Sequence, residues 1–130
     1  MPIRIASLEN RVQRVRDLSL RQPRAVERSL YSFPVFSIGR GKVFLWLLDG
    51  HGVDLPAFAV RTSCADEQSM LAQAEPELFY RPKYLGRWNW IGMRLQRPSV
   101  RWSQVEARIE TSWYLTATLA QLRKFLGDRD

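Results

Sequence analysis

Hydrophobic positions near the start of the chain repeat with the spacing of an α-helix. The side chains that share one helical face are Leu8, Val12, Val15 and Ser19, flanked by Leu18. Intervals of three and four positions return to the same face because a helix turns once every 3.6 residues. The pattern predicts a helix over residues 8–20, with Ser7 as its N-cap and Pro23 beyond its end. Arg11 and Arg14 lie off this face, so we expect them in solvent.

Apolar segments separated by glycine turns follow in the middle of the chain. The predicted strands are residues 31–38, 43–48 and 55–61, with turns at 39–41 and 49–52. Short turns between strands are typical of an antiparallel meander. The unbroken apolar run 43–48 fits a central strand buried on both faces or a strand under helices. Pro34 has no amide hydrogen, which favours an edge position or a bulge.

A second helix is predicted over residues 63–74. Ser63 is a candidate cap, and Asp66 and Glu67 fall in the first turn, where the helix dipole favours negative charge. Met70 and Leu71 are predicted to face inward. Pro76 closes the segment.

The last third of the chain predicts one strand and a long C-terminal helix. Residues 87–95 alternate as a strand does, which places Trp88, Trp90, Gly92 and Arg94 on the same side. The sequence from Ser103 to Glu106 has the form of a capping box. The helical positions that follow on one side are Val105, Ile109, Ser112, Thr116, Leu119 and Arg123, with Leu115, Leu122 and Leu126 beside them and Gly127 as a stop.

These elements together predict one α+β domain over residues 1–130. Its antiparallel β-sheet has about four strands, packed by an N-terminal helix, a middle helix and one or two C-terminal helices. A chain of this length fits a single domain. No repeat or linker divides the sequence.

Charge is distributed unevenly along the chain. The net charge is +7, and 17 of the 20 basic residues are arginines. Residues 1–28 carry +4 and residues 81–108 carry +6, whereas residues 49–80 carry −5. A basic surface attracts phosphates or acidic partners. We therefore expect the two basic stretches to share a surface, with the acidic segment turned away. Ordinary solvation of a soluble protein is the alternative.

The sequence contains no set of residues typical of a catalytic site. His51 is the only histidine and lies between two glycines, so it is interpreted as an exposed turn residue. Cys64 is the only cysteine and is interpreted as structural, although it lies near a helix N-terminus. We expect no enzyme activity, no catalytic residues, no cofactor and no metal site.

The start of the chain lacks the apolar core of a signal peptide, and the longest apolar run, 43–48, is too short to cross a bilayer. A cytoplasmic location and no membrane partner are therefore expected.

Basic and aromatic residues supply the candidate binding features. Arg and Lys neutralise phosphates, and aromatic faces stack on bases. The candidate nucleic-acid contacts are Arg40, Lys42, Lys83, Arg87, Arg94 and Arg97, with Trp88 as a stacking residue. The alternative is that the tryptophans cover the sheet as core residues, which is favoured for Trp90 and less so for Trp88.

Several short motifs resemble the MmcQ/YjbR family. The central one is Phe79-x-x-Pro82-x-Tyr84-x-Gly86-x-x-x-Trp90-Ile91-x-Met93-Arg94-Leu95. A second runs from Pro34 to Phe44, and a third runs from Ile109 to Leu115, where Trp113 separates the serine and tyrosine that are usually paired. The resemblance covers nearly the whole chain.

This resemblance implies a compact α+β sandwich, described as double-wing or frataxin-like, and a predicted role in DNA binding without known catalytic residues. The Arg-rich first helix lacks the acidic ridge of frataxin, which argues against iron binding in that manner. The sequence thus predicts a binding module for nucleic acid, with a monomer favoured. A protein-interaction module using the aromatic loop 79–90 is the alternative, and a small-ligand pocket beside Trp90 is a third.

Overall fold

The structure, a computed structural model, describes residues 5–48 and 56–117. Three α-helices are present in these residues: α1 (Ile5–Leu20), α2 (Ala65–Ala74) and α3 (Trp102–Thr116). The strands are β1 (Ala25–Leu30), β2 (Phe33–Ile38), β3 (Val43–Leu48), β4 (Ala57–Arg61), β5 (Phe79–Tyr80) and β6 (Trp90–Arg94). One turn of 3₁₀-helix spans Leu85–Trp88. None of the helices in this part of the chain has the length and hydropathy needed to span a bilayer.

The six strands form one antiparallel sheet in the order β1-β2-β3-β4-β6-β5. The predicted α+β class is therefore confirmed, with more strands than predicted. The apolar run Val43–Leu48 is a central strand, as its composition indicates, because it lies between β2 and β4. The meander extends over four strands and begins with β1.

Two strands were not predicted, and each has a physical reason. β1 is an edge strand in which polar and apolar residues mix, so its sequence lacks the apolar enrichment of a strand. β5 has only two residues and is defined by its pairing with β6. The predicted strand over 31–38 is shorter, because Tyr31 and Ser32 both adopt positive φ and form the β1–β2 turn. Such turns normally contain glycine or asparagine, so this one carried no sequence signal.

Cross-strand neighbours build the core on one face of the sheet. A buried row crosses four strands through Phe36, Leu45, Val60 and Ile91. α1 and α3 cover this row with Val12, Val15, Leu18, Val105, Ile109 and Trp113. Burying side chains of this size contributes about 1.5–3 kcal/mol each relative to exposure. The helix-facing side therefore holds most of the apolar core.

The opposite face has a smaller cluster arranged around small residues. Ala59 and Gly92 are neighbours in β4 and β6, with Trp46 and Tyr80 on either side of them in register. The Tyr80 ring lies directly over Gly92, where an added Cβ would come within 2.5 Å of ring carbons. Gly92 is thus required by this close approach rather than by backbone conformation.

Most predicted burial is confirmed in the described residues, whereas the predicted caps are not. Val12, Val15, Leu18 and Ser19 are buried on α1, as predicted. The predicted caps are wrong. Ser7 lies inside α1, Ser63 precedes the actual N-cap of α2, and Ser103 lies inside α3, whose N-cap is Arg101.

On α2, Met70 is 60% exposed and Gln68 is buried in its place. Met70 was predicted to face inward on apolar character alone. The direction in which α2 faces the sheet is set instead by the hydrogen bonds of Gln68, described below.

Pro34 occupies neither an edge strand nor the bulge. It lies in β2 just before the β2–β3 pairing begins at Val35 and Trp46, so its missing amide leaves that pairing intact. The bulge falls between Phe36 and Ser37 instead. The predictions for the 49–52 turn, for His51 and for positions beyond residue 117 lie outside the described residues.

A buried hydroxyl connects α3 to the centre of the sheet. Ser112 Oγ accepts a hydrogen bond from the Arg61 N–H (2.9 Å) and donates one to the Phe44 carbonyl (2.5 Å). The β3–β4 pairing ends at Leu45 and Val60, so the hydroxyl occupies the position of the next ladder bond. α3 is thereby fixed against two central strands at once.

We expect Ser112→Ala to lower the free energy of unfolding by about 1–3 kcal/mol, because a buried N–H and a buried carbonyl lose their common partner. Urea unfolding followed by far-UV circular dichroism measures this change. Ser99→Ala, at an exposed position, is the control and should stay within about 0.5 kcal/mol of the parent. Equal stability of the two variants would contradict the bridging role of Ser112.

Candidate functional site

Two loops that carry basic residues lie at the same end of the sheet. The β2–β3 turn contains Arg40 and Lys42 and is closed by hydrogen bonds from Gly41 N–H to the Ile38 carbonyl and from Ile38 N–H to the Lys42 carbonyl. The connection between β5 and β6, residues 81–89, contains Lys83 and Arg87. Both loops lie at this end because β3 begins where β4 ends, and the last residue of β4 pairs with the first of β6. We call Arg40, Lys42, Lys83 and Arg87 the basic rim.

Arg61 spans the strands that separate these loops. Its Nε and Nη2 atoms donate to the Val43 carbonyl at 3.3 and 3.1 Å, respectively. Val43 directly follows Lys42 of the β2–β3 turn. Its guanidinium carbon lies 4.7 Å from the centroid of the Trp90 ring, which follows the β5–β6 connection. Burial lowers the pKa of Arg61, but a guanidinium remains protonated at neutral pH. Arg61 therefore positions both halves of the rim.

The β5–β6 connection is fixed by buried polar contacts. Gln68 of α2 donates through Nε2 to the carbonyls of Gly86 (2.8 Å) and Trp90 (2.7 Å). The Asn89 carbonyl accepts hydrogen bonds from both the N–H and the hydroxyl of Thr62. Leu85 packs against the smaller core cluster. The connection is consequently held in its middle and at its C-terminal end.

Two aromatic rings of this connection are directed toward solvent. Tyr84 is 85% exposed and Trp88 is 63% exposed. The guanidinium of Arg87 lies 5.0 Å from the centroid of the Trp88 ring. The rim therefore combines positive charge with accessible aromatic faces. Asp66 at the start of α2 is an exposed carboxylate on the neighbouring connection.

The structure separates the other two predicted contacts from the rim. Arg94 lies at the far end of β6, where its guanidinium lies 4.5 Å from the Tyr80 ring centroid and donates to the Pro76 carbonyl at 3.1 Å. Arg97 is exposed beyond that same end. From the sequence, Arg94 and Arg97 were predicted to share one contact set with Arg40. The structure separates them, because β6 runs from one end of the sheet to the other.

The arginines of α1 have partners in different parts of the molecule. Arg16 forms a salt bridge with Glu27 at 3.0 Å. Arg11 is half-buried, not solvated as predicted, because Nη1 donates to the carbonyls of Leu95 and Arg97. Arg14 is exposed and lies 4.4 Å from the Trp102 ring centroid.

Within residues 5–28, the backbone brings Arg24 next to the β2–β3 turn. Its carbonyl accepts the Gly39 N–H at 2.7 Å, and its side chain lies against Gly39. The two basic stretches meet instead where Arg11 donates to the carbonyls of Leu95 and Arg97 and Arg14 lies over the Trp102 ring, away from the rim.

The predicted core position of Trp90 is confirmed. Trp90 is 4% exposed and packs with Leu48, Ala57 and Ala59 under the Arg61 guanidinium. Burial also raises the pKa of Tyr80 on this face, which the nearby Arg94 partly offsets.

Cys64 is exposed at the N-cap of α2 rather than packed in the core. The backbone N–H of Glu67 and then the Ser63 hydroxyl, 3.8 Å from the sulfur, favour the thiolate and lower the pKa of the thiol. Residues 5–48 and 56–117 contain no group of three or more His, Cys, Asp or Glu side chains arranged to hold a metal ion.

Glu67 lies in the first turn of α2, close to Cys64. Its carboxylate accepts from the Ser63 N–H and hydroxyl and pairs with Arg108 of α3 at 3.4 Å. Burial alone would raise the pKa of Glu67, but the Ser63 donors and Arg108 outweigh it, so the pKa is lowered. Glu67 thus connects α2 to α3 as a carboxylate.

Sequence reasoning missed four residues that shape the rim. Arg24, Arg61 and Gln68 act through contacts with distant segments, so no local pattern reveals them. Tyr84 was visible in the aromatic loop. Its φ of 64° and its exposure, however, are properties of the folded backbone.

The YjbR family model matches residues 20–115, most of the chain. The chain belongs to the YjbR family. The match begins at the end of α1 and ends within α3, so it includes the whole sheet and both loops of the rim.

A solved structure shares the fold of this YjbR-family chain. The protein DR2400 of Deinococcus radiodurans, which carries the domain DUF419, superimposes with a TM-score of 0.72 and 19% sequence identity. The match covers 92% of this chain and 89% of that protein. No curated protein matches the sequence.

We expect Gln68→Leu to loosen the β5–β6 connection, because the carbonyls of Gly86 and Trp90 lose their donor. The loss of stability should be about 1–3 kcal/mol. Hydrogen exchange should become faster at the N–H of Gly86, which is bonded to the Pro82 carbonyl. Gln73→Leu, at an exposed position of the same helix, is the control. Unchanged exchange in Gln68→Leu would show that the Thr62 hydrogen bonds and Leu85 packing hold the loop without Gln68.

We expect the Cys64 thiol to react with iodoacetamide at a lower pH than an ordinary cysteine. A lowered pKa means that the thiolate, which is the nucleophile, predominates from a lower pH upward. The pH dependence of the alkylation rate measures this pKa. Ser63→Ala should raise it and Ser69→Ala should leave it unchanged. An apparent pKa at or above the ordinary thiol value would contradict the expected influence of α2.

Proposed function

We propose that this protein is a non-enzymatic module that binds nucleic acid through the basic rim. The observation that carries the proposal is the convergence of Arg40 and Lys42 with Lys83 and Arg87 at one end of the sheet, although about 40 residues separate the two pairs in the chain. Exposed cations on short, fixed loops suit contact with a phosphate backbone. A cytoplasmic location is part of the same proposal.

The arrangement of the loops supports this function. The β2–β3 turn and the β5–β6 connection project from the same end, with the half-buried Arg61 between them. In a double-wing interpretation these loops are the two wings, and a phosphate chain lies across them. Binding would come from charge and would carry little base preference, because phosphate contacts position a protein without specifying sequence.

A protein partner is the second candidate function. The exposed rings of Tyr84 and Trp88, together with Arg87, have the composition of an interface hot spot. Sedimentation and a pulldown separate this alternative from the proposal. Self-association or capture of a protein, without affinity for nucleic acid, would favour it.

We expect the double variant Arg40→Glu/Lys42→Glu to weaken binding of a labelled oligonucleotide in fluorescence anisotropy at low salt. The slope of the log binding constant against log salt concentration should also become shallower by about 0.7–0.9 for each phosphate contact removed. The control is Arg97→Glu/Arg101→Glu, which makes the same change in net charge at the opposite end of the sheet. It should retain most of the affinity and the slope.

Three results would decide against the proposal. Equal losses in the two double variants would indicate attraction by net charge rather than by the rim. Binding that does not weaken with salt would exclude phosphate contacts. No binding by the folded parent protein at micromolar concentration and low salt would remove nucleic acid as the partner.

A further inference from the structure

The exposed aromatic residues of the β5–β6 connection are not explained by folding. Tyr84 and Trp88 leave most of their ring surface in water, so burial of apolar surface contributes little at these positions. Lys83 and Arg87 immediately precede Tyr84 and Trp88, respectively. Each exposed ring is therefore adjacent to a cation in the chain.

Tyr84 also adopts an unfavourable backbone conformation. Its φ and ψ are 64° and −56°, and the Leu85 N–H donates to the Lys83 carbonyl at 2.6 Å across it. This is the rare, strained form of the γ-turn. A bulky residue at positive φ costs free energy that glycine would avoid, and such positions concentrate at functional sites. The exposed ring supplies no packing that offsets this cost.

The surrounding contacts hold this strained turn in place. Gln68 fixes the Gly86 carbonyl, and the Gly86 N–H donates to the Pro82 carbonyl at 2.9 Å. The Arg81 side chain lies over Gly86, where an added Cβ would come within 2.4 Å of its Cγ. The rings of Tyr84 and Trp88 are therefore presented on a supported loop, which lowers the entropy lost when a ligand stacks on them.

We propose that the rim binds unpaired nucleic acid strands, with bases stacked on Tyr84 and Trp88 and phosphates on Lys83, Arg87, Arg40 and Lys42. This inference rests on the proposed function. Aromatic faces stack on any base but need its π-face, which an intact duplex hides within its own base stack. Phosphate contacts alone would leave the exposed rings without a role. The combination therefore selects single strands over duplexes.

The experiment compares oligothymidylate, oligouridylate and a mixed-sequence duplex of equal length, each longer than the roughly 4–16 nucleotides that a small binding domain covers. Anisotropy at one fixed low salt concentration gives the affinities for the full chain. We expect both single strands to bind at least tenfold more tightly than the duplex. Intrinsic tryptophan fluorescence should fall on binding, and Trp88→Ala should remove that decrease.

Trp88→Ala and Tyr84→Ala should each weaken single-strand binding by about fivefold to a hundredfold, the range measured for loss of one stacked base. Both should leave the weaker duplex affinity nearly unchanged. Tyr31→Ala is the matched control, because Tyr31 is 88% exposed, has a φ of 51° and lies at the opposite end of the sheet. Thermal unfolding confirms that each variant is folded.

The outcomes separate this inference from the proposed function. Equal or tighter duplex binding that remains sensitive to Arg40→Glu/Lys42→Glu would overturn the preference for single strands. It would still support binding of nucleic acid through the basic rim. Single-strand binding that is unaffected by loss of either ring would overturn stacking. Absence of binding to all three probes by the folded protein would overturn both proposals.

Discussion

The position of one buried hydroxyl constrains the rest of this structure. Ser112 connects the Arg61 N–H to the Phe44 carbonyl at the point where the direct β3–β4 pairing stops. Its two hydrogen bonds therefore fix how α3 packs on the sheet and where the backbone of Arg61 lies. The Arg61 guanidinium in turn reaches Val43 and the Trp90 ring, the residues from which the two loops of the rim depart. One helix residue thus governs the geometry of a surface to which it does not belong.

Arginine serves two separate purposes in this chain. Arg11, Arg61 and Arg94 donate to backbone carbonyls, and Arg61 and Arg94 also lie against aromatic rings. A planar guanidinium with five donors can satisfy carbonyls and stack at the same time, which an ammonium group cannot. Part of the positive charge is thereby committed to structure. The basic stretches seen in the sequence consequently overstate the cationic surface available to a partner.

The sequence predicted the elements whose signals are local. The periodicity of α1, the apolar run of β3, the acidic first turn of α2 and the core role of Trp90 all follow from neighbouring residues, and the structure confirms them. β1 was missed because its residues are polar and its turn lacks glycine, and Met70 was misplaced because tertiary hydrogen bonds select Gln68 for burial. Four of the seven candidate contacts form the rim, and Trp88 lies on the β5–β6 connection beside them. Arg94 and Arg97 do not belong to the rim, because direction along a strand is fixed by topology.

The sequence by itself determined the α+β class, the central strand, the helical faces and the presence of cationic and aromatic residues in two loops. The hydrophobic period and the composition of each segment encode these features, since side chains a few positions apart decide which face of a helix or strand is buried. The tertiary structure alone decided which loops meet, which arginines are occupied and which rings remain in water. Those outcomes depend on contacts between residues far apart in the chain, such as Ser112 with Phe44 and Gln68 with Gly86. No local pattern specifies such pairs, because each arises only after the strands have paired and the helices have packed.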